Sequence, residues 1–175
     1  MADKNLFLKN YSFYGKHADM VDALTGKIDE ASGASIFSTV VELFIMSAVV
    51  GVKIGLKSKP DGDKTKDKKI LAEQFNSHSH EIKIAFKFVT LLGNKDKFDE
   101  VTRLNKTFRN PEVDENYKEF EEYMLGGLED IYNHLMVSTN SNYADYLTSV
   151  NQYLNNFKSP SVEESDDIPD AEDLF

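Results

Sequence analysis

His78-Ser79-His80-Glu81 is the stretch of this chain whose residue types suit metal chemistry. Imidazole and carboxylate ligate divalent cations, but residues two apart on a helix do not share a face. In a loop they could chelate, and a third ligand such as His17 or His134 would then have to arrive by folding. The default reading is a polar helix junction, so no metal or other cofactor is expected. Glu121 with Glu122, and Glu129 with Asp130, pair carboxylates on an ordinary solvated helix face. No Ser or Thr is tied to a His and an acid at triad spacing. Neither GxxxxGK[ST] nor GxGxxG occurs, and the absence of cysteine excludes thiolate catalysis, disulfides and Cys-ligated metal. The expectation is a protein that is not an enzyme. An enzyme with a site assembled from distant residues inside a helical bundle stands as an alternative.

Charge offers a better lead. Residues 1–52 carry four bases and six acids, residues 53–109 fourteen bases and eight acids, and residues 110–175 two bases and sixteen acids, for a net charge of −10. A basic middle and an acidic end in one small chain attract each other or serve different partners. Lys57, Lys59, Lys66, Lys69, Lys83, Lys87 and Arg109 are the candidates for a phosphate-contacting surface. Only two arginines are present, and Asp61, Asp63 and Asp67 interleave the lysines, so the expectation is weak, sequence-independent nucleic-acid contact without base readout.

The elements that must position these groups read as helices. Lys16 to Ile28 places Met20, Val21, Leu24 and Ile28 at helical spacing, after an aromatic extended lead-in from Leu6 to Tyr14. Ser35 is a good N-cap for Ile36 to Lys57, the most apolar stretch. Glu42 and Lys53 are its charges up to Leu56, and a near-central Glu is expensive in lipid, so a buried central helix is expected and a membrane span is not. Ser35, Thr39, Glu42, Met46, Val49, Lys53 and Lys57 would form its one semi-polar stripe. Gly51 and Gly55 predict close approach of a neighbouring helix, with a kink as the alternative. Ser58 to Lys69 predicts an exposed, mobile turn region. Ile70 to Leu92 reads as one long helix or two joined near Asn76 to Ser79, and further helices follow over Asp99 to Phe108, Asp114 to Met136 and Asn142 to Phe157. Gly126-Gly127 costs a helix interior about 1.5–2 kcal/mol relative to alanines, which close packing near Phe86 and Phe88 would offset. No alternating strand pattern stands out. The fold class expected is all-α, a single bundle of five to seven helices over residues 1–158, with a flexible acidic tail over 159–175.

That tail, SPSVEESDDIPDAEDLF, holds seven acids and no base and ends in Leu174-Phe175. Its composition cannot offset its ordering entropy, and acids beside an aromatic suggest a docking motif. Residues Glu164 to Phe175 resemble the acidic C-terminal tip of bacterial and phage single-stranded-DNA-binding proteins. The resemblance implies that Asp166, Asp167 and Asp173 supply the acidic character, with Leu174 and Phe175 as the anchor for a protein partner or for self-shielding. It departs from that family where Asp-Ala-Glu-Asp-Leu separates the proline from the terminal aromatic, and the body lacks the pattern of a five-stranded barrel. The reading is therefore a cytoplasmic accessory or adaptor protein in nucleic-acid metabolism, with a protein partner at its tail and non-specific nucleic acid at its basic middle. The N-terminus has no signal-peptide pattern, so secretion is not expected. A purely protein-binding module, oligomeric through the apolar Ile36 to Leu56 helix, is the other alternative.

Overall fold

The computed structural model describes residues 6–30, 32–93, 95–109, 111, 113–137 and 143–157. Among them the chain forms seven α-helices and four short strands. In order these are β1 (Tyr11–Tyr14), α1 (Lys16–Thr25), β2 (Lys27–Asp29), β3 (Ala34–Ser35), α2 (Val40–Ile54), β4 (Asp67–Ile70), α3 (Ala72–Ser77), α4 (Ser79–Leu92), α5 (Glu100–Phe108), α6 (Asp114–Tyr132) and α7 (Tyr143–Asn155). The all-α reading holds, with two antiparallel two-stranded ladders at its edge. No described helix is long and apolar enough to cross a membrane.

The helix α2 is rich in β-branched residues, so burial rather than intrinsic propensity makes it helical. Val41, Leu43, Phe44, Ala48, Val50 and Val52 are all buried, while Glu42, Met46 and Lys53 face outward as the semi-polar stripe requires. Its start lies four residues later than Ser35 suggests. Thr39 and Glu42 form a reciprocal capping box, in which the Thr39 hydroxyl accepts from the Glu42 amide and the Glu42 carboxylate accepts from the Thr39 amide, both at 3.1 Å. Ser35 instead lies in β3 and donates to the Phe37 carbonyl. At the other end Gly55 adopts a left-handed conformation and stops the helix. It therefore has no role in the helix approach expected of it.

That approach is made by three other glycines. A β-carbon on Gly51 would lie 1.9 Å from the Tyr123 carbonyl oxygen, one on Gly127 would lie 1.9 Å from that of Ser47, and one on Gly126 would lie 2.2 Å from that of Leu56. So α2 and α6 meet backbone to backbone. The Gly126-Gly127 pair seats against α2, not against Phe86 and Phe88 as the sequence suggests.

The region 58–69 also differs from expectation, being tied down rather than free. Asp61 accepts from the Lys16 amide at 2.9 Å and so caps α1 from 45 residues downstream. The amides of Asp63 and Lys16 hold its carboxyl below the usual range. Beyond it, β4 pairs antiparallel with β1, setting Tyr11 opposite Ile70 and Phe13 opposite Lys68. Tyr11 and Phe13 point inward with the period-two alternation of a half-buried strand. The long stretch 70–92 divides into α3 and α4 at His78, and Asp99 caps α5 through the Thr102 amide.

Phe7 ties the N-terminal segment to the core. Its ring meets Phe75, Phe86, Tyr117 and Phe120 edge-on at centroid distances of 5.6–5.9 Å. Edge-to-face pairs of this kind add roughly 0.5–1.5 kcal/mol each beyond area burial.

The glycine contact gives a direct stability test. Alanine at position 127 would gain about 1 kcal/mol of helix propensity. Its methyl has nowhere to go without parting the helices, so Gly127→Ala should lose at least about 3 kcal/mol in urea denaturation. Gly62→Ala, at a position open to solvent, should change stability by less than about 0.5 kcal/mol. A Gly127→Ala chain as stable as the parent would refute the close crossing.

Candidate functional site

The fold folds the three charge segments onto one another. Lys57 donates to Glu119 at 2.7 Å and sits 4.3 Å over the Tyr123 ring. Burial alone would lower the Lys57 value, but the hydrogen bond and charge of Glu119 hold it above the ordinary one. Lys66 pairs with Asp19 and Lys68 with Asp22, at 2.8 and 2.6 Å, joining the middle segment to the first. Lys106 pairs with Glu115 at 2.9 Å, joining it to the third. Lys69 pairs with Asp67 within its own strand at 3.0 Å. Of the seven cations singled out in the sequence, Lys57, Lys66 and Lys69 are thus already neutralised. Exposed pairs such as Lys66–Asp19 are screened by solvent and add little stability. Their larger effect is to cancel the field of the basic middle.

Lys59, Lys83, Lys87 and Arg109 have no carboxylate partner among the described residues. Lys59 lies apart, in the loop that follows α2. Lys83 and Lys87 stand one turn apart on the exposed face of α4. Arg109 ends α5, whose Phe108 ring lies 5.5 Å from the Lys87 ammonium. Three of the seven cations are therefore engaged internally, and the α4–α5 side keeps a small unpaired cationic patch.

Beside that patch the aromatic core opens into a cavity of about 200 Å³. Phe7, Phe75, Ile82, Phe86 and Tyr117 form its apolar wall, and Lys83 and Lys87 stand at its rim. Phe86 and Tyr117 stack at 4.9 Å along one side. In the sequence these rings read only as core. Ile82 and Phe86, each followed directly by a lysine, Lys83 and Lys87, are the available signal, a face of α4 turning from apolar to basic. A second cavity, of about 410 Å³, lies between α2 and α7 and is walled by Ile36, Met46, Val150, Leu154 and Phe157. Its cation, Lys53, is engaged, donating to the Phe157 carbonyl at 3.1 Å.

Glu129 is the centre of the main polar node. Its Oε1 lies 2.8 Å from the Lys16 ammonium, 2.9 Å from His17 Nε2 and 2.5 Å from the Ser58 hydroxyl. Ser58 and His17 both bond the carboxylate rather than each other, so no nucleophile–base relay exists here. At the α3–α4 junction His78 Nδ1 lies 3.0 Å from the Gln74 carbonyl, and no cluster among the described residues could hold a metal ion. Asp166, Asp167, Asp173, Leu174 and Phe175 lie outside the described residues.

A family model described as DNA sulphur modification system-associated protein 4 matches residues 15–171. No curated protein and no solved structure matches the chain.

Two half-buried carboxylates of α6 titrate in opposite senses. Burial pushes the Glu121 carboxyl up, against a 3.0 Å hydrogen bond from the Tyr11 hydroxyl, and the charge of Glu122 adds to the rise. At Glu129 burial is outweighed by the donors Lys16, Ser58 and His17, and the value falls. Glu121, raised on folding, favours the folded chain most below the carboxylate range and loses that contribution as pH rises through its folded value. Glu129, lowered on folding, stabilises above its unfolded value and loses that contribution as pH falls through its folded one. At neutral pH Glu121→Gln should therefore raise the urea midpoint and Glu129→Gln should lower it, each on the order of 1 kcal/mol. Both differences should shrink well below the carboxylate range. Shifts of the same sign at neutral pH would contradict the assignment.

Proposed function

The chain belongs to the DNA sulphur modification system-associated protein 4 family, and on that premise we propose that it is a non-enzymatic accessory protein of such a system. The match over residues 15–171 carries this reading. The chemistry of the chain supports it. A protein that itself handled sulphur by the usual route would need a thiolate, and these 175 residues contain no cysteine. Its best-bonded carboxylates serve the fold, since Glu129, Glu119 and Asp61 each fasten one segment to another.

Contact with DNA then falls to the cations left over from internal pairing. Lys83, Lys87 and Arg109, with Lys59 apart from them, can neutralise a few phosphates, which gives weak binding without base readout. Docking onto protein components is the stronger part of the role, with Asp166, Asp167, Asp173, Leu174 and Phe175 as the motif that would take a partner. The cytoplasm is where such a protein would meet its DNA. One observation favours a second reading, in which the chain contacts proteins only: Lys57, Lys66 and Lys69, three of the seven candidate cations, are already paired with carboxylates. Most of the apolar face of α2 lies inside the domain, so a second copy would meet only its exposed residues Met46 and Ile54, with Leu56 just beyond.

Fluorescence anisotropy on a DNA duplex distinguishes these readings. Each phosphate neutralised contributes about −0.9 to the slope of log K against log salt, so binding confined to the four unpaired cations among the seven predicts a slope no steeper than about −4. Lys83→Glu with Lys87→Glu should abolish most of the binding, while Lys66→Glu should matter little. A slope near −6 would mean that the paired lysines open to take phosphate and would overturn this assignment. No binding at low salt would leave the protein-only reading.

A further inference from the structure

We propose that the cavity beneath Lys83 and Lys87 is the docking site of the chain's own acidic segment, residues 163–175, with Leu174 and Phe175 entering it as the apolar anchor. The inference does not depend on contact with DNA. It starts from the charge pattern of the described residues, in which three acids of the third segment are matched to cations of the earlier two: Glu115 to Lys106, Glu119 to Lys57 and Glu129 to Lys16. Seven further acids lie between Glu163 and Asp173, with no base among them. The unpaired cations that border an apolar cavity are Lys83 and Lys87.

Size and chemistry fit the same pairing. An apolar cavity of about 150 Å³ accepts a benzene ring, so 200 Å³ walled by Phe7, Phe75, Ile82, Phe86 and Tyr117 takes a phenyl group with part of a neighbouring side chain. The two lysines stand where the acids before Leu174 would pass. The larger cavity between α2 and α7 is a poorer match, because its cation is already bonded to Phe157.

Reach is not limiting. Fully extended, the 18 residues after Phe157 span about 60 Å, whereas a domain of this size has a radius of gyration near 15 Å. A short tether gives an effective concentration in the millimolar range, so the tip would dock in its own chain even if the free peptide bound only at millimolar concentration. Attraction between the acids and the two lysines should weaken as salt is added.

The chain has no tryptophan, so Phe175→Trp places a single indole reporter at the tip of the full-length protein. Acrylamide is neutral and reports burial without reference to charge. Docking predicts blue-shifted emission and quenching at least about twofold weaker than for a free peptide of residues 164–175 carrying the same substitution. This protection should be independent of protein concentration. Adding Lys83→Glu with Lys87→Glu, or Ser79→Leu to fill the cavity from its exposed edge, should restore peptide-like quenching while circular dichroism stays unchanged. Emission and quenching equal to those of the free peptide in the parent protein would overturn the proposal. So would protection that survives both sets of substitutions, which would put the tip elsewhere, or protection that grows with concentration, which would assign the cavity to the tail of a second copy. All of these readings are taken without nucleic acid, so they stand or fall apart from the DNA measurement.

Discussion

The close contact between α2 and α6 is the constraint on which the rest of the domain depends. Gly51, Gly126 and Gly127 let the two backbones touch, with carbonyl oxygens of Ser47, Tyr123 and Leu56 where β-carbons would otherwise stand. Helices held by side-chain ridges normally sit 8–10 Å apart, so a glycine-lined contact brings the remaining side chains of both helices closer to their common neighbours. Phe44 of α2 and Phe120 of α6 meet at 5.6 Å, and the aromatic cluster with Phe7, Phe75 and Phe86 is built outward from them. The cavity beside α4 is the outer margin of that cluster. Its position is therefore set by three glycines that line none of it.

Electrostatics follows from the same arrangement. Seating α6 against α2 carries Glu119 to Lys57 and Glu129 to Lys16, and folds the third charge segment against the other two. Glu119 is almost fully buried, so its carboxylate needs the Lys57 ammonium to be tolerable there. A sequence that reads as three electrical blocks becomes a body in which ion pairs tie the blocks together. Lys83, Lys87 and Arg109 stay outside those pairs and remain open to recognition.

Most helices were legible in the sequence because each carries a 3.6-residue apolar period between clear breakers. α6 is the best case, with Tyr117, Phe120, Met124, Leu128 and Ile131 buried on one face. Most of the misreadings share one physical cause, a partner distant in sequence. Tyr11 to Tyr14 has a strand's alternation, but its mate β4 is a lysine-rich tetrapeptide more than fifty residues on. Asp61 reads as a turn residue until α1 is seen to begin against it. Gly126-Gly127 signalled a close approach correctly and gave no means of naming α2 as the neighbour. Thr39 is different, since its capping box with Glu42 is entirely local and Ser35 was preferred only because the apolar run begins beside it. The basic middle misled for the same long-range reason: a list of lysines does not reveal which carboxylates fold against them.

Net charge argues for how a chain of this kind would come to act on DNA. At −10 it is repelled by a polyanion at long range, and screening confines the attraction of Lys83, Lys87 and Arg109 to roughly a Debye length of about 8 Å at physiological salt. Local cations on an acidic body can hold a phosphate once it is near, but they cannot steer the approach. A partner that already sits on DNA removes that barrier by supplying proximity, and weak contacts then suffice because the effective concentration is high. The physical properties of this chain suit a component that arrives with others better than one that finds DNA alone.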